Sequence, residues 1–155
     1  MSIEVGDSIK DLSLPDGTNT FHNINDYLDK KLVLAFFPGA FTGACTEELC
    51  TLDGFTDLLE KLNAQVIGVT VDSTFVLKNW AQQNNVQITL LSDYKKEWIK
   101  HFGVEFTGLA GLEGYISANR AVFIVEPGGK VSYKWIAESP GTQPDYDELK
   151  TLLNA

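Results

Sequence analysis

Arginine is nearly absent. Of 12 basic residues only Arg120 is an arginine, against 21 Asp and Glu, and the formal charge is −9. No basic patch for nucleic acid is present, so nucleic-acid partners are excluded. The acidity serves solubility, and its field disfavours a thiolate, so any reactive cysteine needs local activation. Long apolar runs are also missing. The longest, Leu32 to Phe37, falls far short of the ~20 residues a membrane span requires. Met1 to Asp7 carries no basic segment leading into an apolar stretch, so no secretory signal is expected. The expected compartment is the cytoplasm, where thiols stay reduced.

Cysteine and histidine are scarce as well: Cys45, Cys50, His22 and His101 are the full set. Structural zinc wants four ligands in paired short spacings, so no metal is expected. A cysteine hydrolase needs a histidine base oriented by an Asn or Asp. His22 lies in a polar turn and His101 in an amphipathic helix, which argues against that chemistry. Nor is there the C-x-x-C of a thioredoxin-type disulfide exchanger; the spacing is C-x4-C.

What is present is a soluble globular composition, 44% hydrophobic over 155 residues, expected to form a single domain over residues 1–155. Short apolar runs alternate with helical segments, the pattern of an α/β domain. A turn is expected at Pro15-Asp16-Gly17. Strands are expected over Lys31–Phe37, Gln65–Val71, Ile88–Leu91, Ala121–Val125 and Val131–Ile136, the last two as an antiparallel hairpin around Glu126-Pro127-Gly128-Gly129. Helices are expected over Thr74–Asn84, Lys95–Phe102 and Tyr146–Leu153. Gly103–Asn119, rich in glycine, reads as a long loop. The architecture expected is a central mixed sheet of about five strands flanked by helices.

The segment Thr42–Leu62 says most. At 100° per residue, Cys45, Leu49, Leu52, Phe55, Leu58, Leu59 and Leu62 share one arc, and Glu47, Asp53, Asp57, Glu60 and Lys61 the other. Cys45 therefore lies on the apolar face at the start of a helix, with Thr42 as its expected N-cap. Glu48 points towards the core side, where a carboxylate must find polar partners. Cys50 points outward, unusual for a free cysteine. A thiol in a first helical turn faces free N–H groups and the positive end of the dipole, which favour thiolate. Cys45 also follows a buried strand and a tight turn, which holds it at the carboxyl end of the sheet, where α/β folds bind ligands. These features mark Cys45 as a nucleophile.

Pro38-Gly39-Ala40-Phe41-Thr42-Gly43-Ala44-Cys45 resembles the P-x-x-x-T-x-x-C motif of the peroxiredoxins, in its "PGAFT" form. The resemblance continues through Gly68–Asp72, Leu91-Ser92-Asp93, Arg120–Val125 and Lys134-Trp135. It implies a thioredoxin-like fold and thiol-dependent reduction of hydrogen peroxide or organic hydroperoxides, without metal or organic cofactor. It also implies Cys45 as peroxidatic cysteine, Thr42 as its hydrogen-bonding partner, and Pro38 as a pocket shield. Arg120 matches the family's active-site arginine and Glu48 a glutamate three residues after the cysteine. Lowering any thiol pKa from ~8.5 to ~6 raises its thiolate fraction at pH 7 only about 30-fold. Most of the rate must therefore come from orienting the peroxide and stabilising the leaving oxygen.

The C-x4-C spacing resembles the bacterioferritin-comigratory (Q-type) branch, some members of which pair these positions. "FFPGAFTG" is closer to the one-cysteine E-type and type-five branches. On an intact helix, positions i and i+5 lie about 8.6 Å apart at Cα, whereas a disulfide needs roughly 4.4–6.8 Å. If Cys50 resolves the Cys45 sulfenic acid, the helix must unwind first. The resemblance further implies thioredoxin, glutaredoxin or another thiol as reductant, and a homodimer. A general thiol–disulfide oxidoreductase and a non-enzymatic peroxide sensor are the alternatives.

Overall fold

The computed structural model describes residues 2–154. In chain order it contains β1 (Ser13–Pro15), β2 (Phe21–Asn23), β3 (Lys31–Phe36), α1 (Gly43–Asp53) and α2 (Thr56–Lys61). There follow β4 (Ala64–Thr70), α3 (Thr74–Asn84), β5 (Thr89–Ser92), α4 (Glu97–His101), β6 (Glu105–Thr107) and β7 (Ile116–Ala118). The chain closes with β8 (Ala121–Val125), β9 (Val131–Ile136) and α5 (Tyr146–Leu153).

The main sheet has the order β5-β4-β3-β8-β9, with β3, β4 and β5 parallel and β8 and β9 antiparallel to their neighbours. Its inner strands β3, β4 and β8 are buried on both faces, so they read as near-continuous apolar runs, whereas the edge strand β9 is only half-buried and alternates. Along β3, Leu32, Leu34 and Phe36 pack with Trp98, Ile99 and Phe102 of the α4 region. Val33, Ala35 and Phe37 pack on the other face with α1, α3 and α5. Gly68 of β4 makes this second packing possible. A Cβ there would stand 2.6 Å from Phe37 Cε2 and 2.8 Å from Leu90 Cδ2. Asp93, fully buried beyond β5, accepts the Trp98 and Ile99 N–H groups and secures the start of α4.

Two expectations are corrected. The helix over Thr42–Leu62 is not continuous. Gly54 and Phe55 separate α1 from α2, and Phe55 N–H bonds to Leu52 O, one residue short of the α-helical partner. Both halves keep their apolar residues on the same arc, so the break leaves the periodicity intact. The stretch Gly103–Asn119 is not all loop, because β6 and β7 pair antiparallel within it. Around Pro15-Asp16-Gly17 the chain forms a small β1–β2 hairpin. Thr74–Asn84, Ala121–Val125, Val131–Ile136 and Tyr146–Leu153 stand as expected, and the other boundaries move by one or two residues.

Candidate active site

The β3–β8 register places the site. Phe36 sits opposite Ala121, so Pro38, leaving the end of β3, and Arg120, entering β8, emerge side by side. Pro38 and Gly39 are buried in the turn, and Ala40 N–H bonds to Asp72 Oδ2 at 2.7 Å, clipping the turn to the end of β4. Phe41 adopts a left-handed φ of 66°, uncommon for a bulky residue and a mark of strain held in place by its surroundings. Its ring is half exposed and lies 6.5 Å from that of Trp80 on α3.

Thr42 takes the N-cap position, but its side chain makes no cap. The expected capping bond is absent because the hydroxyl turns back and donates to Gly39 O at 2.9 Å, bracing the turn instead. The side-chain bond to Cys45 that the resemblance implied for Thr42 does not feature in this arrangement. Cys45 is the third residue of α1 and is fully buried.

Arg120 reaches across from β8. Its Nη2 donates to Cys45 Sγ at 3.2 Å, its Nη1 to Glu48 Oε2, and its Nε to Pro140 O at 3.0 Å. All three side chains, Cys45, Glu48 and Arg120, are at most 1% exposed. Glu48 lies one turn below Cys45 on the same helix face, as the periodicity expects. Its second oxygen, Oε1, is buried without a hydrogen-bond partner among the described residues. Burial pushes its carboxyl up to about 7, against the pull of the Arg120 charge. Burial opposes charge on Arg120, while Glu48 and Cys45 outweigh that and hold it firmly protonated.

Above this group opens a cleft of about 380 Å³. Pro38, Thr42, Ala44, Phe106, Leu109 and Pro140 line it, and Arg120 reaches its floor. Except for Thr42 and Arg120 these walls are apolar. Cys50 lies on the outer face of α1, exposed, with Sγ 4.0 Å from Asn84 Oδ1. Both cysteines are free thiols. His22 is tied to Asp16 and Tyr27 in the hairpin, and His101 sits on α4 against Phe102.

Several contributors escaped the sequence reading: Phe106 and Leu109 on the cleft wall, Pro140 behind Arg120, and Gln143, which donates to Ala44 O at 2.8 Å. None carries a local signal. Each comes from the glycine-rich stretch or the segment before α5 and meets the site only through the fold. No helix among the described residues is long and apolar enough to cross a membrane.

A sequence model of the AhpC/TSA family matches residues 5–134. The chain is 29% identical over 135 residues to peroxiredoxin Bcp of Escherichia coli K12, covering 84% of both chains. It is 28% identical over 153 residues to a thiol peroxidase of Oceanobacillus iheyensis, covering 97% of this chain and 88% of that one. Its fold superposes on the crystal structure of peroxidoxin BcpB from Mycobacterium tuberculosis with a TM-score of 0.85 and 26% identity, over 98% and 97% of the two chains. With most of its length matched and a buried thiol, arginine and glutamate gathered at the head of α1, the chain belongs to the AhpC/TSA family: it is a peroxiredoxin, a thiol peroxidase.

Proposed function

We propose that Cys45 is the peroxidatic cysteine, that Cys50 resolves it, and that the protein reduces hydrogen peroxide and organic hydroperoxides at the expense of a thiol reductant. The observation that carries this reading is the 3.2 Å contact between the buried Cys45 Sγ and Nη2 of Arg120, a residue that itself lines an otherwise apolar cleft.

The hydroperoxide enters between Pro38 and Pro140. The Cys45 thiolate attacks the terminal oxygen, the S–O bond forms, the O–O bond breaks, and the alcohol or water leaves after taking a proton. Arg120 faces the reacting atoms and stabilises the negative charge that passes from sulfur to the departing oxygen. The Thr42 proton is engaged with Gly39 O, so its oxygen lone pairs are left to accept from the peroxide O–H and aim it at sulfur. Glu48 holds the guanidinium in place. The apolar walls accommodate the organic part of an alkyl hydroperoxide.

Cys45 becomes a sulfenic acid, which Cys50 condenses with as water leaves. Both cysteines belong to α1, one buried and one exposed, so the first turns must unwind for a disulfide to close. The exposed disulfide then suits reduction by thioredoxin, glutaredoxin or a similar thiol. A cytoplasmic location fits two free cysteines, and the exposed Phe41 on the active-site loop supports a homodimer meeting there.

Mass spectrometry after one equivalent of peroxide tests the reading. An intramolecular Cys45–Cys50 bond is expected, with Cys45→Ser inert and Cys50→Ser stopping at the sulfenic acid. Full peroxide turnover by Cys45→Ser would overturn it.

A further inference from the structure

The segment between β9 and α5 grips both halves of the site. Pro140 O takes the Arg120 Nε proton at 3.0 Å, and three residues on Gln143 Nε2 donates to Ala44 O at 2.8 Å. Ala44 immediately precedes Cys45 in the first turn of α1. The other end of the Gln143 amide is also engaged, because Tyr146 OH donates to Oε1. Burial keeps the Tyr146 phenol protonated and hence a donor. The Tyr146 ring packs edge-on against Phe55, at the far end of α1, with centroids 6.0 Å apart. A chain of contacts thus runs from the turn that bears the thiol, through Gln143 and Tyr146, to the point where α1 ends.

We propose that Gln143 is a positioning residue that holds the first turn of α1 wound, and so sets how the Cys45 sulfenic acid divides between closure with Cys50 and further oxidation. The proposal rests on the reading of Cys45 as peroxidatic and Cys50 as resolving. Closure requires the turn to unwind. The Cys50 thiolate attacks the Cys45 sulfur, the S–S bond forms, the S–O bond breaks, and the oxygen leaves as water. Unwinding carries Ala44 O away from Gln143, so this bond opposes closure. The wound turn instead keeps the sulfenic acid beside Arg120 in the cleft. There a second hydroperoxide oxidises it by two electrons: a new S–O bond forms, the O–O bond breaks, alcohol leaves, and sulfinic acid remains.

The test uses the full reduced chain titrated with tert-butyl hydroperoxide, with disulfide and sulfinic acid counted by mass spectrometry. Gln143→Leu is expected to raise the peroxide concentration that gives half sulfinic acid about three- to tenfold, the factor a net hydrogen bond supplies. Tyr146→Phe, which keeps the ring but frees the amide, should move it in the same direction by less. The double variant should add nothing to Gln143→Leu, since both act through one chain of contacts. Tyr146→Phe also answers the question should Gln143→Leu fail to fold. A merely structural role would lower the thermal midpoint and leave the partition where it was. A wild type that closes its disulfide while neither variant moves the partition overturns the role of Gln143 alone. A wild type that yields sulfinic acid and never the Cys45–Cys50 bond overturns the resolving reading, and this proposal with it.

Discussion

Arg120 contacts Cys45 Sγ with one terminal nitrogen and Glu48 with the other, so a single buried guanidinium faces a thiol and a carboxyl group at once. Such a fork can serve both at once because its donors are rigidly splayed in a plane. The third donor, Nε, bonds to Pro140 O and fixes the orientation of that plane. The sole arginine of the chain has each of its three nitrogens engaged.

Arg120→Lys keeps the charge and loses the fork. An ammonium cannot reach Cys45, Glu48 and Pro140 in fixed directions, so the second-order rate of Cys45 oxidation should fall about 10²–10³-fold, the range seen when one preorganised donor is removed. Stopped-flow fluorescence gives the rate, with Trp80 as reporter through its bond to Thr46 on α1. A loss of less than threefold would show that charge alone suffices.

Thr42 separates two roles of a hydroxyl. Thr42→Val removes both the brace to Gly39 O and the lone pairs facing the cleft, and should slow oxidation by about 10²-fold, as misplacement of reacting groups does. Thr42→Ser keeps the oxygen and should remain within a few-fold of wild type. Equal losses in the two variants would instead point to the methyl group.

Glu48 predicts a pH dependence of stability. Its folded pKa, about 7, lies above the ordinary 4.5, because burial disfavours the carboxylate. Its contribution is therefore fully present below about pH 4.5 and is lost as pH rises through about 7, amounting to on the order of 3 kcal/mol at 1.36 kcal/mol per unit. Glu48→Gln cannot titrate. Urea unfolding of both proteins, fully reduced, at pH 5, 6, 7 and 8 should show the wild type losing ground to the variant as pH rises. A constant difference across that range would refute the assignment.

The helix bearing Cys45 was legible because its evidence is local. Leu49 and Leu52 repeat at helical spacing, and the same wheel sends Glu48 inward and Cys50 outward, where the structure has them. Arg120 became a candidate through the family resemblance, which implies an arginine opening this strand; its being the sole arginine agreed with that but did not by itself mark a site. The β6–β7 hairpin was not legible, since two strands of only three residues each are too short to show a usable period. Gln143 was equally hidden. Its bond to Ala44 spans 99 positions of sequence, and nothing near Gln143 announces the partner. The gap at Gly54 was masked by a hydrophobic arc that survives it.

That gap bears on the proposed redox cycle. Just before it, Asp53 Oδ1 takes the backbone N–H groups of Gln87 at 2.7 Å and Ile88 at 3.2 Å, tying the last residue of α1 to the lead-in of β5. A helix that melts from its first turn meets there a stop rooted in the sheet, and α2 lies beyond a separate joint. The rearrangement proposed to join the cysteines would thereby be confined to some three turns of chain, like a spring with its far end bolted down. Each return to the reduced state can then rewind from an intact anchor, with the rest of the domain left undisturbed.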